Sequence, residues 1–309
     1  MEKLIVSPSP HLRSGMTTQK IMLNVIIALC PAVIASGIIF GFRAILLILI
    51  CVATSLVWET LFNMITKRPN TIGDLSAVVT GILLSFNLPS TLPFWMAVIG
   101  TFVAIVIVKC LFGGLGQNFA NPAIVGRIVL MLSFTGAMTN WVLPQKLQTA
   151  DAVTSATPLI SKNAEYLDLF LGMTGGCLGE TCALALIIGG VYLVIRRIIS
   201  PITPLFFLVT VEIFSIIVGV DPLYQILSGG VLLGAIFMAT DYVTTPITFW
   251  GKVIFGIGCG IITCVIRFYA SMAEGVSFSI LLMNILTPYI DMLTKAKPIG
   301  ALPDKNKEE

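Results

Sequence analysis

Ten apolar stretches run through this chain, at roughly 22–41, 44–65, 73–88, 93–111, 121–138, 180–195, 203–220, 223–240, 253–271 and 276–293. Stretches this long and this frequent cannot share one aqueous core, and about 20 apolar residues suffice to cross the hydrocarbon of a bilayer. Composition agrees, because 57% of the 309 residues are apolar and only 11% are charged. A soluble domain carries about 25% charged residues. The expected fold is therefore an all-α integral membrane protein of about ten spanning segments. The stretches at 73–88, 121–138 and 223–240 are short and rich in Gly, Ser and Thr. Such segments predict broken or partial helices that pack against protein rather than lipid.

Basic residues set the orientation. With the N-terminus inside, thirteen Lys and Arg fall on the cytoplasmic side, Lys109 among them. Four fall outside (Arg43, Lys146, Lys162 and Arg267), and Arg127 lies within a span. This asymmetry places both termini in the cytoplasm. The polar first twenty residues precede a long apolar run, which is expected to stay as a first span rather than be cleaved as a signal peptide. The longest polar stretch, 139–178, then faces the exterior.

The chain also repeats itself. Laid without gaps, residues 59–93 match residues 212–246 at six positions: Glu59 with Glu212, Pro69 with Pro222, Val78 with Val231, Gly81 with Gly234, Thr91 with Thr244 and Pro93 with Pro246. Five spans per half is an odd number, so the second half enters the membrane from the opposite side. The expected organisation is a cytoplasmic tail (1–21), a five-helix repeat (22–138), an outer connector (139–178), an inverted five-helix repeat (179–293) and a second cytoplasmic tail (294–309). Sites in such scaffolds sit near the midplane between the halves.

Several classes are disfavoured. The net charge of +3 is spread over segment ends, and no basic patch suits nucleic acid. The seven cysteines include no C-x-x-C pair, so no metal site is expected and they read as small apolar residues of helices. His11 is the single histidine and lies in a polar tail, which leaves little for acid–base catalysis, and no catalytic residue is assigned.

The connector carries Asp151-Ala152-Val153-Thr154-Ser155-Ala156-Thr157. This resembles the D-x-x-[ST]-G-A-T pattern on which flavin transferases move FMN from FAD onto the last threonine. Ser155 stands where the pattern has Gly. A phosphoester needs a hydroxyl, and the small Ser155 and Ala156 leave room for a flavin and an enzyme. The alternative is a Ser/Thr-rich loop without a role.

The resemblance extends over nearly the whole chain. The residues that carry it are Phe112-Gly113-Gly114-Leu115-Gly116-Gln117-Asn118-Phe119-Ala120-Asn121-Pro122-Ala123, Gly73-Asp74-Leu75-Ser76, Leu84-Ser85-Phe86-Asn87-Leu88-Pro89, Phe237-Met238-Ala239-Thr240-Asp241, Thr244-Thr245-Pro246 and Ser9-Pro10-His11. They are similar to segments of a family comprising the D component of the Rnf complex and the B component of the sodium-pumping NADH:quinone oxidoreductase. Length and the short N-terminus are closer to the Rnf member. The resemblance implies a urea-transporter-like scaffold and covalent FMN on Thr157. It implies a place in a bacterial or archaeal cytoplasmic-membrane complex that moves electrons between ferredoxin and NAD, coupled to Na⁺ or H⁺ export. The implied partners are the A, B, C, E and G components of the Rnf complex, membrane lipid and a flavin transferase for maturation. Some relatives also hold riboflavin.

Individual residues follow. Asn121-Pro122 opens a helix, where Asn121 caps it or meets an anion or flavin edge. Arg127, one to two turns on, meets either a flavin or a carboxylate. Glu59, Glu180, Glu212, Asp74 and Asp241 lie in or at the ends of spans. They either relay protons or coordinate Na⁺, or cap helices and pair with cations. The repeat is expected to bring Glu59 and Glu212 both to the interior. The rival reading of the whole is a cofactor-free solute channel or secondary transporter on the same scaffold.

Overall fold

The structure, a computed structural model, describes residues 16–144, 158–161, 164–270 and 275–295. It is built of helices. The N-terminal part holds α1 (Thr18–Phe40), α2 (Phe42–Ile65), α3 (Ser76–Phe86), α4 (Phe94–Phe102), α5 (Pro122–Ser133) and the single turn α6 (Thr135–Met138). Two short helices follow in the connector, α7 (Pro158–Ser161) and α8 (Tyr166–Leu171). The rest comprises α9 (Ala183–Ile195), α10 (Ile202–Val218), α11 (Pro222–Leu227), α12 (Val231–Leu233), α13 (Phe249–Tyr269) and α14 (Val276–Thr294). α4 runs on as a π-helix over Val103–Cys110, and α12 over Gly234–Met238.

Every one of the ten apolar stretches is therefore helical. Among the described residues four helices, α1, α2, α13 and α14, are long and apolar enough to cross a membrane. The stretches expected to be broken are the short ones. α3 spans 11 residues and α5 spans 12, while 223–240 divides into α11, α12 and a π turn. α3 is buried along nearly its whole length, so its backbone ends are met by protein.

Local chemistry explains the boundaries. Gly41 adopts φ 80° and turns α1 directly into α2. The run Gly113, Gly114 and Gly116 takes φ of 123°, 99° and 92°, a tight turn closed to residues with a Cβ. The Asn121 side chain accepts from the Ala123 N–H at 3.1 Å with Pro122 at the first helical position, the cap that Asn-Pro predicts. Asp221-Pro222 repeats the device at α11, where Asp221 accepts from the Leu223 and Tyr224 N–H groups.

Small residues set the helix spacing. A Cβ on Gly256 would lie 2.9 Å from the Thr203 carbonyl oxygen, and one on Gly260 would lie 2.5 Å from Thr210 Cβ. This G-x-x-x-G face lets α13 lie directly on α10. Gly189 does the same for α9 on α1, since its Cβ would stand 2.2 Å from the Ala28 carbonyl oxygen. Many outward-facing positions are apolar, including Ile34, Ile38, Leu49, Val57, Leu132 and Ile217. That surface needs lipid or another protein against it.

Candidate functional site

Among the described residues two ion pairs are buried inside this apolar body, and each joins distant segments. In the first, Lys109 Nζ on the π-helix lies 2.8 Å from Glu59 Oε1 on α2. Lys109 also donates to Ser76 Oγ at 2.6 Å, at the start of α3. The Thr71 hydroxyl donates to Glu59 Oε1 at 2.7 Å, and Asn63 Nδ2 donates to Thr71 at 3.1 Å. Asp74 Oδ1 accepts from the Ser76 N–H and hydroxyl at 2.8 and 2.5 Å. Asp74, Ser76, Lys109, Glu59, Thr71 and Asn63 thus form one hydrogen-bonded chain.

In the second, Arg127 Nη1 on α5 reaches Glu180 Oε1 at 2.8 Å and Asn87 Oδ1, at the end of α3, at 2.6 Å. Arg127 Nη2 lies 3.9 Å from Cys177 Sγ, which donates to the Asn87 carbonyl at 3.3 Å. The Leu178 and Gly179 N–H groups bond the Leu88 and Phe86 carbonyls at 3.0 Å each. So the end of the connector is laid against the open end of α3, and Cys177 sits in that turn rather than in a helix. The Oε2 atoms of Glu59 and Glu180 are both buried without a hydrogen-bond partner among the described residues.

Between the two parts of the protein lies a narrow, partly open cavity. Its polar lining includes Ser76, Lys109, Asn118, Asn121, Thr240 and Asp241, and Val25, Val79, Leu83 and Phe237 supply apolar walls. Helix ends from both parts converge beside it. Asn121 Nδ2 donates to the Met238 carbonyl at 3.4 Å, and Asn87 Nδ2 lies 3.8 Å from Met238 Sδ. Asp241 accepts from the Thr244 hydroxyl at 3.2 Å.

The expected site residues divide accordingly. Asn121 and Asp241 line the cavity, with Asp74 one bond away through Ser76. Arg127 meets a carboxylate, Glu180, the structural one of its two expected partners. Glu59 is interior, but Glu212 is exposed on α10. The expectation that both point inward fails for Glu212. α10 buries Phe207, Val211 and Ser215, and Glu212 follows Val211 by one residue, about 100° around the helix. Lys109, counted above as a cation of the cytoplasmic side, is instead 2% exposed and the hub of the first network. Its place at the end of the apolar run Val103–Val108 was the available signal. Asp151, Thr154, Ser155, Ala156 and Thr157 lie outside the described residues. The next residue, Pro158, is buried, and its carbonyl accepts from the Tyr224 hydroxyl at 2.8 Å.

The profile of the NQR2, RnfD, RnfE family matches residues 5–300. The chain is 48% identical to the D component of the Na⁺-translocating ferredoxin:NAD⁺ oxidoreductase complex of Acetobacterium woodii, covering 98% of both. It is 41% identical to the D component of the proton-translocating ferredoxin:NAD⁺ oxidoreductase complex of Clostridium ljungdahlii, over 96% of both. Against the D component of the ion-translocating oxidoreductase complex of Mannheimia succiniciproducens the identity is 35%, over 96% of this chain and 97% of the relative. With one profile spanning nearly all its residues and such relatives end to end, this chain belongs to the NQR2, RnfD, RnfE family.

Proposed function

We propose that this protein is the D-type membrane component of an ion-translocating ferredoxin:NAD⁺ oxidoreductase (Rnf) complex, with FMN esterified to Thr157. The observation that carries the assignment is end-to-end identity of 48% with a relative of that name. The protein is not an enzyme alone. Its share is to hold flavin within reach of neighbouring subunits and to couple reduction to cation movement.

Two features support a flavin-bearing connector. The residue after Thr157, Pro158, is anchored to α11 through its carbonyl, which accepts from the Tyr224 hydroxyl. The chain beyond the connector is fastened to α3 by Arg127 and Glu180. Bound FMN would supply one- and two-electron transfer.

Glu59 is the strongest ion-pathway candidate, with a buried oxygen left over from its ion pair. A bound cation or proton would find an oxygen ligand there. The paired short helices, whose ends meet at Asn87, Asn121 and Met238, support two inverted five-helix halves, and the basic-residue asymmetry of the sequence supports both termini in the cytoplasm with the connector outside.

The test is in-gel flavin fluorescence of denatured protein, produced with its flavin transferase. A fluorescent wild-type band that goes dark in Thr157→Ala is expected. A fluorescent Thr157→Ala band moves the acceptor elsewhere. A dark wild-type band favours the cofactor-free transporter.

A further inference from the structure

α10 carries a single charged residue, Glu212, within the sequence Ile202–Val218. It stands about 15 Å from the start of the helix and about 9 Å from its end at 1.5 Å per residue, well inside an apolar segment. Its side chain is exposed, and it has no hydrogen bond or ion pair among the described residues. The same outer surface is otherwise aliphatic, with Leu205, Val209, Ile213 and Ile216 all exposed. Acyl chains offer a carboxylate nothing, so a lipid-facing carboxylate at this depth is costly.

One turn away along α10 runs an open groove between α9 and α10. Val191, Val194, Leu205, Leu208 and Val209 are among its walls, and its lining is almost wholly apolar. Leu208 and Val209 lie four and three residues before Glu212, so the groove leads one turn along α10 to the carboxylate. α9 contributes no charge to this face.

The geometry points to a docking site: the α9–α10 groove seats a transmembrane helix of another subunit, whose basic side chain pairs with Glu212 at mid-depth. The groove supplies the apolar contact, and the unpaired carboxylate supplies the register and the choice of partner. A lipid tail would fill the groove but leave Glu212 unpaired, and a second copy of α10 would set two carboxylates against each other. The inference rests on the proposed membership of a multi-subunit membrane complex.

The test places a photo-crosslinking phenylalanine analogue at Leu205, Val209 or Ile216 in the tagged chain within the intact complex, with Leu49 on α2 as the control. Adducts are identified by mass spectrometry. Adducts to a transmembrane segment of a different subunit at the α10 positions, and not at Leu49, are expected. In parallel, Glu212→Lys should lower co-purification of that subunit at least tenfold, with Glu212→Gln intermediate and each variant still monodisperse. Adducts only to lipid, or to a second copy of this chain, overturn the inference, as does unchanged co-purification of Glu212→Lys. Absence of any co-purifying subunit with the wild type overturns the complex assignment as well. Assembled wild-type complex without groove adducts overturns the docking site alone.

Discussion

Lys109 and Glu59 meet at 2.8 Å with side chains only 3% and 2% exposed, joining residues 50 positions apart in an apolar interior. Desolvating both charges costs several kcal/mol each, and only their mutual attraction and added hydrogen bonds offset it. Lys109→Met therefore strands the Glu59 carboxylate. It should destabilise the protein by about 3–5 kcal/mol, read as a shift of unfolding in detergent titrations. The double variant Glu59→Gln/Lys109→Met should recover most of that loss. A double variant as unstable as Lys109→Met alone would count against the pair as the cause.

Arg127 reaches two acceptors from one nitrogen, Glu180 and Asn87. A lysine there offers a compact ammonium in place of the guanidinium fork. Arg127→Lys should loosen the chain between the connector and α9, so that limited proteolysis cleaves near 172–181 faster than in the wild type. Equal cleavage rates would mean that Arg127 does not fasten this segment.

Gly189→Val should push α9 from α1, because the Ala28 carbonyl leaves no space for a Cβ. Overpacking of this kind costs about 1–3 kcal/mol, and here the obstacle is backbone rather than a flexible side chain. A lower melting temperature in detergent checks it. Gly136→Ala, where nothing lies within 4 Å of the added Cβ, is the matched control.

Asp221 sits at the surface, where the hydrogen bond from the Tyr166 hydroxyl holds its carboxyl below the usual carboxylate range, helped by the Tyr224 and Leu223 N–H groups. A depressed folded value means that the contribution is present above the unfolded carboxylate value and fades as pH falls through the folded one. Tyr166→Phe should be less stable than wild type near neutrality, and the difference should disappear in acid. A difference that persists in acid would place the effect in packing instead.

Much of this architecture was readable because helix length and apolar runs are local properties. The ten stretches, the Asn121 cap and the short buried α3 each follow from contiguous residues. The ion pairs did not follow, since the partners of Lys109 and Arg127 lie 50 and 53 residues away and only packing brings them together. Glu212 misled for the opposite reason. Its match to Glu59 was a statement about sequence alignment, whereas the face a residue presents depends on helix rotation, and one residue changes it by about 100°. The connector motif is legible as chemistry but not as geometry, because Thr157 lies outside the described residues.

The seam between Gly189 and Ala28 also orders events at the ribosome. The end of α1 leaves the ribosome about 155 residues before the end of α9, on the order of ten seconds at ordinary synthesis rates. Until then the Ala28 face has only lipid or an insertion chaperone beside it. A stalled or truncated translation product ending before α9 would leave that stripe uncovered and give membrane quality-control proteases a target that the finished protein never presents.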